Sequence, residues 1–158
     1  MSILTPKQQQ EQQRIIKSGN GWDAYNFARD IPGADIKALQ QVVLDRGDAG
    51  DAYIFARHIP GADIKALQQV VLDQGNGWDA YSFALNIPGA DIKALQQVVL
   101  DRGDAGDAYC FSRNIPGADA QALYERLIEL GEDDYAEQLA DEMPEAINIA
   151  TKAPRMGM

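Results

Sequence analysis

Cys110 and His58 are the only cysteine and the only histidine among 158 residues. A Cys–His nucleophilic pair needs the two groups in contact. These two fall in different sequence repeats, at non-equivalent helix positions, so no such dyad is expected. Single residues of each type also leave almost nothing to hold zinc. Carboxylates are plentiful, but Asp23, Asp51, Asp79 and Asp107 recur at one repeat position, where an acid near a helix N-terminus serves as a cap. The segment Asp45-Arg46-Gly47-Asp48-Ala49-Gly50-Asp51 returns at 101–107. It lacks the alternate-residue oxygens and final Glu of a calcium loop. No glycine-rich phosphate loop is present. The expectation is a protein that is not an enzyme and takes no metal or cofactor. Its remaining chemistry is recognition by aromatic and arginine side chains.

Those side chains are carried on a repeat. After an 18-residue leader the chain reads as five 28-residue periods starting at Gly19, Gly47, Gly75, Gly103 and Gly131. The phrase IPGADIKALQQVVLD occurs verbatim at Ile31, Ile59 and Ile87, and its fourth copy at Ile115 keeps IPGAD and then drifts to AQALYERLIEL. The leader holds the same frame, with Ile15 and Ile16 where Val43 and Leu44 sit and with Thr5-Pro6 opening a helix. Each period predicts two helices. Asn20 or Asp48 caps the first, which runs to about Asp30 and is stopped by Pro32-Gly33. The second starts near Ala34-Asp35 and ends at the next glycine in the C′ position. Helices of about ten residues are unstable alone, so they must stack. The fold expected is all-α: a right-handed α-solenoid of stacked two-helix repeats. Residues 1–18 form its N-terminal capping helix, 19–130 its four repeats, and 131–158 a divergent acidic C-terminal cap and tail, with 150–158 frayed.

At 100° per residue, Ala24, Phe27, Ala28 and Ile31 make the core stripe of the first helix, and Ile36, Leu39, Val43 and Leu44 that of the second. Lys37, Gln41 and Asp45, with their copies at 65, 69 and 73 and at 93, 97 and 101, form a solvated outer line. Trp22, Tyr25, Asn26 and Arg29 fall opposite the first-helix core. Differences between copies concentrate on that arc: Trp22, Gly50, Trp78 and Gly106 are equivalent, as are Arg29, Arg57, Leu85 and Arg113. Trp22, Tyr25, Arg29, Tyr53, Arg57, Trp78, Tyr81, Tyr109 and Arg113 are therefore expected to form an exposed face that binds another protein. The alternation of Trp with Gly doubles the period to 56 on this face. It also fits a Trp that plugs the gap over the glycine of the next repeat.

The net charge of −10 and pI near 4.4 oppose direct binding of nucleic acid or of an anionic membrane. No 18-residue apolar stretch or apolar signal core is seen, which points to a cytoplasmic protein, and one cysteine excludes an internal disulfide. Residues 125–158 hold nine acids against three bases. Within them Glu132, Asp133, Asp134, Glu137, Asp141 and Glu142 form an acidic patch. Such an end unit keeps open stacks monomeric; alternatively it attracts a basic partner, mimicking nucleic-acid charge.

The string DAYxFAxxIPGADIKALQQVVL, with Tyr25-Asn26-Phe27-Ala28 leading into Ile31-Pro32-Gly33-Ala34-Asp35, resembles a short two-helix repeat of poorly characterised bacterial and phage proteins, HEAT-like in general form. The resemblance covers 19–130 and implies a fold rather than an activity. By analogy with small acidic phage proteins, it implies an inhibitor that blocks a host protein machine.

Overall fold

In the computed structural model, residues 3–149 are described; the expected fraying of 150–158 lies outside them. They form ten helices and no strand: α1 Pro6–Ser18, α2 Gly21–Asp30, α3 Ile36–Arg46, α4 Ala49–His58, α5 Ile64–Gln74, α6 Gly77–Asn86, α7 Ile92–Arg102, α8 Ala105–Asn114, α9 Ala120–Glu129 and α10 Asp133–Glu142. Successive helices pack as hairpins of the α-solenoid kind. Two compact units divide the chain, 3–75 with 86–90, and 76–85 with 91–149. In the first, α2 packs on α3 and α4 on α5, while α2 lies beside α4 and α3 lies beside α1 and α5. In the second, α8 packs on α7 and α9, and α10 on both α8 and α9. None of these helices is long and apolar enough to cross a membrane.

Side chains at the helix starts satisfy amides that the helix itself cannot. Asn20 Oδ1 accepts the Asp23 N–H at 2.8 Å. Asp48 with Asp51, and Asp104 with Asp107, form reciprocal capping boxes. Second helices are capped by Asp35, Asp63, Asp91 and Asp119. The turn between the two helices of a repeat needs its glycine: Gly33 and Gly117 sit at φ +85 and Gly61 and Gly89 at φ +82, a region costly for other residues. Gly47 corrects the expectation of a left-handed C′ residue. Its backbone is extended at φ −84, and glycine is required because an added Cβ would lie 2.6 Å from the Val43 carbonyl oxygen.

Ala24, Leu39, Val43, Ala52, Phe55, Phe83, Leu95 and Phe111 are wholly buried, as their stripes predict. Lys37, Gln41 and Asp45 are exposed, and Gln41 donates to Asp45 at 2.8 Å, as Gln69 does to Asp73 and Gln97 to Asp101. The neighbouring glutamine was not anticipated. Gln12, Gln40 and Gln96 are buried, and their side-chain oxygens accept the N–H of Asp35, Asp63 and Asp119 at 2.7–2.8 Å. Each bond ties one second helix to the N-terminus of the next, and it satisfies a cap amide that burial would otherwise leave costly. The leader helix α1 keeps Gln12 and Ile15 buried, but it carries Glu11 and Arg14 at the places of Leu39 and Val42. These two form an exposed ion pair at 2.6 Å, a polar surface where interior repeats are apolar.

Candidate recognition surface

In the first unit, Trp22 is 49% exposed, with its ring 5.5 Å from that of Tyr25 at a 41° tilt. Tyr25 itself is buried. Arg29 lies 5.1 Å above its ring centroid, and the His58 ring at the end of α4 lies 6.2 Å away. Arg29 also grips Asp30 through two bonds of 2.6 and 2.8 Å, which holds the Asp30 carboxyl below its usual range. One repeat on, Tyr53 is half-buried, and Arg57 donates to its hydroxyl at 2.7 Å.

The second unit repeats the motif with one change. Trp78 is 59% exposed and stacks obliquely on Tyr81 at 5.4 Å. Tyr81 is buried, and its hydroxyl accepts from the Asn114 side chain at 3.0 Å. Where the other repeats carry Arg, Leu85 stands 47% exposed. Tyr109 is buried, with Tyr135 at 5.3 Å. Its hydroxyl donates to Glu142 at 2.9 Å, and Arg113 reaches both Tyr109 and Glu142, at 3.3 and 3.4 Å.

These positions correct the expectation that the tyrosines are exposed. Tyr25, Tyr81 and Tyr109 are each covered by the residue 33 positions on, His58, Asn114 and Glu142, which closes the end of the adjacent first helix. A stacked helix is enclosed on its flanks as well as toward its hairpin partner, so the side opposite the core stripe is narrower than a helical wheel implies. The exposed remainder is Trp22, Arg29, Arg57, Trp78, Leu85 and Arg113. The gap-plugging alternative does not hold either. A Cβ placed on Gly50 or Gly106 would find only Asp48 Oδ1 or Asp104 Oδ1 within 4 Å, at 3.2 Å, and no indole.

The acidic residues of α10 occupy the same places in the repeat. Asp134, Glu137 and Asp141 stand where Trp22, Tyr25 and Arg29 stand in the first copy, and all three are exposed. Glu132 takes the N-cap place without making a side-chain cap, and Asp133 and Asp134 lie in the first turn, where the helix dipole favours anions. Glu142 is held below the usual carboxyl range by the Tyr109 hydroxyl first, then by Gln138 and Arg113. A lowered folded-state pKa contributes stability above the ordinary value, and that stability is lost as pH falls through the folded one. Glu142→Gln is therefore expected to flatten the fall in melting temperature between about pH 6 and pH 3, measured by circular dichroism. Asp51 and Asp107 oppose this slope, since burial raises both; their contribution is present in acid and is lost as pH rises.

Cys110 is half-buried, and burial first, then Asp107, raises its thiol pKa, the reverse of an activated nucleophile. Among the described residues no cluster of three His, Cys, Asp or Glu could hold a metal ion. Leu85 is the surface residue that the aromatic pattern missed; its signal was a leucine where three copies carry arginine. Comparison with protein-family models, curated proteins and solved structures returns no match.

Proposed function

We propose that the chain is a non-enzymatic scaffold that binds another protein through its first helices, with Trp22 and Trp78 as the principal contacts. The observation that carries this reading is the exposure of the two indoles, 49% and 59%, each resting on a buried tyrosine. A large aromatic whose orientation is already fixed loses little entropy on binding, which is why such residues dominate interface energies. The polar Glu11–Arg14 pair and the acidic α10 favour a monomer, since both replace apolar stacking surface with charge.

Replacing both Trp22 and Trp78 with Ala is expected to weaken partner capture from native-host extract about a hundredfold. Stability should change by only ~0.5 kcal/mol, as at other surface sites. A large fall in melting temperature with capture intact would assign the indoles to packing instead. The acidic stripe supports a second reading: an inhibitor of a host protein machine, of the kind suggested by the resemblance to bacterial and phage repeats, presenting nucleic-acid-like charge. On that reading, neutralising Asp134, Glu137 and Asp141 abolishes capture, and salt weakens it steeply.

A further inference from the structure

We infer that the occupant of the second unit is a basic amphipathic helix, laid across α8 with its apolar side on Trp78 and Leu85 and its cationic side toward α10. This rests on the reading that the first helices bind protein, and it names the partner's chemistry. Charge is divided unequally. The described residues of the second unit hold fifteen Asp and Glu against four Lys and Arg, whereas those of the first hold nine against eight. The same unit carries the more apolar of the two Trp surfaces. Trp78 and Leu85 are seven residues apart, two helical turns, and therefore share one side of α6. At the place of Leu85 the first unit has two cations, Arg29 and Arg57, whereas the second has one, Arg113, whose charge is met by Glu142 at 3.4 Å.

Local shape agrees with this occupant. Contacts of Gly77 with Asp107 and of Tyr81 with Asn114 set α6 beside α8, and those of Tyr109 with Tyr135 and Glu142 set α10 on α8's other flank. One period after Trp78 and Ser82, α8 presents Gly106 and half-buried Cys110, and a Cβ on the glycine would find no neighbour within 4 Å but Asp104 Oδ1, from the start of the same helix. One period further, α10 presents Asp134, Gln138 and Asp141. The short side chains Gly106 and Cys110 thus lie between an indole–leucine ridge and a carboxylate ridge, and Arg113, the one cation on this side of α8, is turned to Glu142 at 3.4 Å. Neighbouring helices lie about 8–10 Å apart, so the ridges are separated by roughly 16–20 Å, room for a helix about 10 Å across.

The test uses the full chain carrying Trp22→Phe, which leaves Trp78 as the sole indole. It is titrated with a Trp-free amphipathic peptide of ~18 residues built from Leu and Lys, and with a net-neutral Leu, Lys and Glu peptide of the same apolar side. The basic peptide is expected to shift Trp78 emission to the blue and to bind at least tenfold tighter than the neutral one. Leu85→Arg, which installs the residue native to the other three repeats, should weaken binding at least tenfold with melting temperature unchanged, and so should Asp134→Asn with Asp141→Asn. Equal binding of the two peptides, or binding that survives Leu85→Arg, overturns the inference. So does self-association by sedimentation without peptide, which would make a second copy the occupant. If the basic peptide leaves Trp78 unaffected while the Trp22 and Trp78 alanine variant still loses its partner, the occupant's chemistry is wrong and the first-helix reading stands. If that variant keeps its partner, both fall.

Discussion

Phe55→Ala is expected to lower the unfolding free energy by about 3–5 kcal/mol, the range for truncating a wholly buried aromatic. Phe55 sits at the centre of α4 with no exposed surface. Removing its ring leaves a void bounded by helices whose backbones are fixed by caps and hairpin contacts, so little collapse can refill it. The equivalent Phe27 makes the contrast within the same unit. It retains 8% exposure and borders an open groove of about 260 Å³, also lined by Glu11, Arg14, Asn26, Asp30 and Ile31. Water can enter there after truncation, so Phe27→Ala should cost about 3 kcal/mol or less. Urea titration followed by far-ultraviolet circular dichroism separates the two, and equal losses would show that the groove closes in solution.

The fold was legible because each repeat states its boundaries with residues whose physics is local. Asn20 and Asp48 cap, Pro32-Gly33 breaks, and Asp35 caps again, and the helices begin and end within a residue or two of those signals. What was not legible depended on neighbours one period away. Periodicity describes a helix with one buried side, and by that measure Tyr25, Tyr81 and Tyr109 belong outside. They lie inside because His58, Asn114 and Glu142 arrive from the adjacent helix. Gln40 and Gln41 look alike in sequence, yet one is bonded inward to Asp63 and the other outward to Asp45. Only the stacking register distinguishes them. Of the surface expected to bind a partner, the indoles and arginines emerge exposed, and the tyrosines become their foundation.

Gly77→Ala is expected to cost about 1–3 kcal/mol, although alanine is the better helix former. An added Cβ would press on the Asp107 carboxylate and lie 2.5 Å from the Cα of Gly103. A carboxylate can turn aside, but a Cα cannot, so α6 and α8 must part. At Gly21 the three nearest atoms all belong to the Asp51 side chain, and Gly21→Ala should cost less. Ala105 stands at the same repeat position, and Ala105→Gly should cost no more than ~1 kcal/mol, the helix-propensity difference. Gly106→Ala should be neutral or slightly stabilising, because its only near contact is Asp104 Oδ1 at 3.2 Å. This ranking gives the 56-residue alternation a structural cause: at Gly21 and Gly77, the residues before Trp22 and Trp78, a Cβ would collide with an acid of the following first helix. Trp78 immediately follows Gly77, so parting the helices also moves the indole. Gly77→Ala should therefore weaken partner capture as well as stability, whereas Gly106→Ala should leave stability intact. Urea denaturation read by tryptophan fluorescence, with capture measured on the same variants, checks both; a Gly77→Ala protein as stable as wild type would remove close approach as the source of the alternation.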